Sequence, residues 1–120
     1  MRQQQGFTLI ELVMVIVILG ILAATALPKF VDLSSSARLA AVKGVAGALS
    51  SAGTINYAQR SITSGAGIAT SNVACTSLAT NLLDGGAPSG YTFTGNGPSC
   101  TVTDNNLASA SAVARVAAIN

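Results

Sequence analysis

The chain reads as an α+β fold: a long N-terminal α-helix packed on a small antiparallel β-sheet, with a disulfide-bounded C-terminal region. Three observations lead there. Residues 7–27 form an apolar run interrupted by a single acid, Glu11. A helical period continues past that run to about residue 61, after which Gly, Ser, Thr and Asn take over. Two alternating segments, 91–94 and 100–103, flank the turn residues Asn96, Gly97 and Pro98, which is the pattern of a hairpin.

Composition limits the function before any motif is read. At 120 residues there is room for one domain plus an anchor or tail. Half the residues are apolar and 8% are charged, and the formal net charge of +2 is too small to argue for nucleic-acid binding. With no histidine and two cysteines, most metal sites and nucleophile–base pairs lack their parts. Asp84 and Asp104 bring no spaced set of oxygen ligands for calcium. No base or orienting carboxylate accompanies the many serines and threonines, and no phosphate-cradling glycine motif is present. The expectation is a chain that is not an enzyme and takes no cofactor. Cys75 and Cys100, behind an export-type N-terminus, read as one disulfide formed outside the cytoplasm.

Residues 1–6, MRQQQG, are polar, with Arg2 as the one charged side chain. From residue 7 to 27 a helix would span roughly 31 Å, which matches a hydrocarbon core of about 30 Å. A carboxylate inside such a helix is costly, so Glu11 either calls for a cation, which another copy of the chain can supply, or is a snorkelling or helix-start acid of the kind that favours helix N-termini. Three readings of the segment compete. It is an ordinary secretory signal cut after Ala26, at Ala24-Thr25-Ala26, releasing a soluble binding protein that starts at Leu27. It is an uncleaved anchor, which leaves Glu11 without a purpose. Or the chain is cut between Gly6 and Phe7, and the apolar run is kept.

The third reading has a family behind it. Gly6-Phe7-Thr8-Leu9-Ile10-Glu11-Leu12, followed by an unbroken apolar run, closely resembles the N-terminus of bacterial type IV pilins and related pseudopilins. The resemblance implies that a prepilin peptidase cuts after Gly6 and N-methylates the new terminal residue, Phe7. It also implies that Glu11 meets the amine of a neighbouring subunit and registers each incoming copy. Residues 17–30 look most like the type IVa major pilins of the mannose-sensitive haemagglutinin kind. The implied role is a structural one. The chain would wait in the bacterial inner membrane as a single-pass protein, and the pilus assembly machinery would polymerise it into an extracellular helical homopolymer. Such a filament serves attachment to a host or environmental surface, and in some members motility or DNA uptake. The alternative within the resemblance is a pseudopilin of a type II secretion system.

Beyond the membrane-length stretch, Pro28 lacks an N–H and its ring crowds the preceding turn, so a kink is expected there. Gly20 is the other weak point; in pilins the part between the positions matching Gly20 and Pro28 often loosens in the filament. Phe30, Leu33, Ala37, Ala41, Gly44, Ala48, Ala52, Ile55 and Ile62 share one side at about 100° per residue. That stripe of small residues permits close approach, to the domain's own sheet or to neighbouring helices. The helix is expected over residues 7–61, a loop at Ser64-Gly65-Ala66-Gly67, and a short helix over 75–83, stopped by Asp84-Gly85-Gly86. The hairpin 91–94 and 100–103 follows, then a turn at Asp104-Asn105-Asn106 and a third strand over 112–119, whose alanines also suit a helix. This divides the chain into a leader (1–6), a hydrophobic helix (7–33), its amphipathic continuation (34–61) and a small globular domain (62–120). So small a core is marginal alone. The helix and a Cys75–Cys100 bridge compensate, the bridge by about 3–4 kcal/mol of loop-closure entropy.

Overall fold

The computed structural model describes residues 5–120; the first four residues of the expected leader, Arg2 among them, lie outside the described residues. The chain divides into two compact units, Met1–Ser34 and Ser35–Asn120. Helix α1 (Leu9–Ile62) belongs to both and carries Pro28 within it, in agreement with the expected long helix.

In the first unit, α1 is apolar and long enough to cross a membrane, and none of its most apolar stretch is buried within the chain. Exposure of its large apolar side chains runs from 40% for Val13 to 82% for Leu9. From Leu12 to Ala24 every residue is apolar or glycine, so the helix presents hydrocarbon on all sides. A helix apolar all round requires lipid or other helices as its surroundings. Pro28 leaves the Ala24 carbonyl without its usual donor four residues on, and the Thr25 hydroxyl turns back to bond the Leu22 carbonyl at 3.0 Å.

The second unit builds a core between the rest of α1 and a sheet. Its other elements are α2 (Cys75–Leu82), β1 (Tyr91–Thr94), β2 (Ser99–Asp104) and β3 (Leu107–Arg115). The sheet is antiparallel in the order β1-β2-β3. The expected hairpin is there, with Phe93 opposite Val102 and Thr94 opposite Thr101. On α2, Cys75, Leu78 and Ala79 are buried, the i, i+3, i+4 spacing of one helical face. Val42, Leu49, Leu78, Val102 and Val116 are fully or almost fully buried, each worth about 1.5–3 kcal/mol relative to exposure. Cys75 and Cys100 form the disulfide, with Cα atoms 5.6 Å apart, and both are fully buried.

One open alternative is narrowed and one expectation is corrected. The buried face of α1 is Val42, Ala46, Leu49, Gly53 and Asn56, so the small-residue stripe is left to its other expected partner, neighbouring helices. Ala37, Ala41, Gly44, Ala48 and Ile55 are exposed. The core takes the bulkier side chains, and glycine is needed where the chain just past β3 comes close: a Cβ on Gly53 would meet the Val116 Cα at 3.1 Å. The third strand starts at Leu107 and ends at Arg115, five residues earlier than expected at its start. A register shift between Thr103 and Asp104 sets Leu107 opposite Asp104, so pairing begins directly after the turn.

The loop between α1 and α2 is stitched down by polar groups. Asn56 is buried; its amide donates to the Ile68 carbonyl at 2.9 Å and accepts from the Ile68 N–H at 2.7 Å. The buried Thr70 hydroxyl donates to the Ala117 carbonyl at 2.7 Å and accepts from the Ile119 N–H at 2.9 Å. Asp104, also buried, accepts from the Asn106 N–H at 2.7 Å and meets Arg38 at 3.3 Å. The Asn106 N–H foremost, with the Arg38 guanidinium, holds the Asp104 carboxyl below its ordinary value. A lowered folded pKa means stability that is complete above the unfolded value of about 3.9 and drains as pH falls through the folded one. The melting temperature of oxidised, detergent-solubilised protein is therefore expected to drop on acidification below about pH 4. In Asp104→Asn that acid-sensitive part should shrink, and an unchanged acid slope would remove Asp104 from the account.

Candidate assembly site at the N-terminus

Helix α1 begins at Leu9, which makes Thr8 its N-cap. The Thr8 N–H donates to Glu11 Oε2 at 2.8 Å, and the Thr8 hydroxyl donates to the same oxygen at 2.8 Å. In return the Glu11 N–H donates to Thr8 Oγ1 at 3.4 Å. This is a capping box, in which Thr-x-x-Glu satisfies two donors that the first turn leaves open. It also fixes the acid in space: Oε2 is engaged twice, while Oε1 takes no hydrogen bond among the described residues. One carboxylate oxygen is thus held and the other is offered.

Gln5, Gly6, Phe7 and Glu11 line a single open recess of about 260 Å³. The structure therefore brings the Gly6–Phe7 bond and the Glu11 carboxylate together. Phe7 is 91% exposed. A Cβ built on Gly6 meets nothing within 4 Å, so the fold of this chain does not demand glycine there. Gly20 and Pro28 lie further along the same helix, and a Cβ on Gly20 also meets nothing. Cys75 and Cys100 belong to the second unit.

Thr8 is the site residue that the sequence reading passed over. Its signal was present, because Thr followed three residues later by Glu at the head of an apolar run is a capping-box signature. What hid it was the length of that run, which draws attention to the acid as an intruder in lipid and away from its local partner.

Residues 1–27 match the prokaryotic N-terminal methylation motif. That match concerns one end of the chain. Over 111 residues, 92% of this chain and 87% of the relative, the sequence is 42% identical to the type IV narrow pilus major component PilA5 of Thermus thermophilus. The chain belongs to the type IV pilin family. This pilin is also 51% identical over 43 residues to the type II secretion system core protein G of Pseudomonas aeruginosa, and 54% identical over 44 residues to the type IV major alpha-pilin of Moraxella bovis. These two matches take in 36% and 37% of this pilin, and the chain spans only 30% and 28% of those relatives. No solved structure matches it. The long helix, the three-stranded sheet and the Cys75–Cys100 bridge are the α+β fold expected of a pilin.

Proposed function

We propose that this pilin is the structural subunit of a type IV pilus, held in the bacterial inner membrane by one span and polymerised into a surface filament. A prepilin peptidase cuts between Gly6 and Phe7 and methylates the Phe7 amine. The pilus assembly machinery then moves the apolar helix out of lipid and among the helices of other copies. Gly20 and Pro28 are the points at which that helix yields in the filament. The division into leader, hydrophobic helix, amphipathic continuation and globular domain follows the same steps. Attachment to a surface is the filament's task.

One observation carries this reading: a helix apolar on every side, with a capped carboxylate beside the Gly6–Phe7 bond. Such a helix is tolerated in two surroundings, hydrocarbon and a bundle of its own kind. Head-to-tail association that does not close produces a fibre. Glu11 directs the passage from one surrounding to the other, because its open Oε1 can take the charged amine of the next copy where little water remains to screen it.

The secretion-system reading has one observation in its favour, the 51% identity to core protein G. That identity covers 43 residues, 36% of this chain, whereas the pilus component is matched over 111 residues, 92% of it. Intact mass of the mature protein tests the processing. We expect loss of residues 1–6 and a methylated Phe7; a mature chain beginning at Leu27 would identify a secreted soluble protein. Shearing cells and recovering the chain in long fibres tests the polymer.

A further inference from the structure

Polymerisation needs contacts outside the apolar helix, and the second unit carries two surfaces that suit each other. On one flank of α1, Val45 and Ala48 join Leu83, Gly86 and Pro88 in a groove of about 310 Å³ that Asp84 also lines. Asp84 is exposed and has no ion-pair partner among the described residues. The other acid of this unit, Asp104, is already engaged by Arg38.

The opposite flank is basic. At about 100° per residue, Lys43 and Ser50 project to the side of α1 away from Val45 and Ala48. Ser50 accepts the Arg115 N–H at 3.0 Å, which brings the end of β3 to that same side. Lys43 and Arg115 are both exposed and neither has an ion-pair partner among the described residues. Arg60, the remaining cation of this unit, donates to the carbonyls of Asn120 and Gly67.

We infer that the Val45–Pro88 groove with Asp84 is a docking surface for a second copy of this chain, entered by the flank that bears Lys43 and Arg115. The inference rests on the pilus-subunit reading and names its contact between globular units. Charge complementarity selects the occupant: the free acid lies on one flank and the free cations on the other, and no cation of the same unit pairs with Asp84 among the described residues. Complementary patches on opposite sides make a heterologous contact, which repeats without closing. A groove with apolar walls suits this role, since an ion pair formed there is partly shielded from water while the walls exclude it.

The test uses the full-length chain in cells, with sheared fibre and the membrane pool measured separately. Asp84→Lys is expected to lower fibre about tenfold through like-charge contact, with the membrane pool unchanged and its disulfide formed. Adding Lys43→Asp or Arg115→Asp should restore fibre. Wild-type fibre from Asp84→Lys, or a loss that neither reversal repairs, would overturn the contact. A photo-crosslinking residue at Ala48 gives a readout that does not depend on charge. It should join two copies in fibre, and crosslinks that never contain a second copy would also overturn it. Absence of fibre from the wild-type chain would instead refute the pilus reading itself, so the two failures are separable.

Discussion

Glu11→Ala is expected to be cut after Gly6 and methylated on Phe7 as efficiently as the parent chain, yet to yield on the order of a hundredfold less fibre. The reason lies in what the incoming subunit brings. The proposed cut would create a positive amine on Phe7, and methylation would keep its charge. Among packed apolar helices that amine needs an acid, and removing one partner of a buried pair strands the other, which costs far more than the pair itself contributes. The capping box offers a rival explanation, because Glu11→Ala also removes the acceptor of two Thr8 bonds. The magnitudes separate the two. Loss of a cap costs about 0.5–2 kcal/mol of helix stability, and this helix is held chiefly by its surroundings. Glu11→Gln makes the distinction directly, since its amide oxygen can still accept from Thr8 while the charge is gone. Fibre as scarce as in Glu11→Ala is the expected result. Parental amounts of fibre from Glu11→Gln would mean that the cap alone matters and that no charge pair guides assembly.

The order of elements was legible in the sequence because each had a strong local cause: hydrocarbon length for α1, glycines closing α2, turn residues for the hairpin. What stayed hidden depended on partners distant along the chain. Periodicity gives the spacing of a helical face but not which of two candidate faces meets the sheet. In α1 the small residues Ala37, Ala41 and Ala48 and the larger Val42 and Leu49 repeat equally well, and volume decides between them once a sheet has to be filled. Taken by itself, Gly53 is only an unfavourable helix residue; its purpose shows beside Val116. Asn56 interrupts an apolar face, and the Ile68 backbone that satisfies it lies in a loop with no pattern of its own. The Ser and Ala alternation at the start of β3 is too weak in hydrophobic contrast to announce that part of the strand before pairing with β2 defines it. At the N-terminus, Gly6, Phe7 and Glu11 line one recess because their spacing is local, which is why the sequence alone offers them as a candidate site. It does not offer the groove at Asp84, which joins α1 to the segment after α2.

Gly6→Val is expected to leave the precursor uncut, with Met1 retained in the intact mass and fibre absent. The fold supplies the control for this experiment. Nothing within 4 Å would meet a Cβ at residue 6, and the residue precedes α1, so a branched side chain there should not disturb the helix or the sheet. The effect must then come from an enzyme whose pocket admits the backbone beside the scissile bond only when the side chain is absent or very small. Gly6→Ala, adding one methyl group, should fall between the two. Both Gly6→Val and Glu11→Ala remove fibre, but at different stages: the first accumulates uncut precursor without a Phe7 amine, the second accumulates mature, methylated chain without the acid that receives it. Each variant therefore lacks one half of the same charge pair. If uncut Gly6→Val precursor were found in sheared fibre, the Phe7 amine would be dispensable and Glu11 would have to act through some other group.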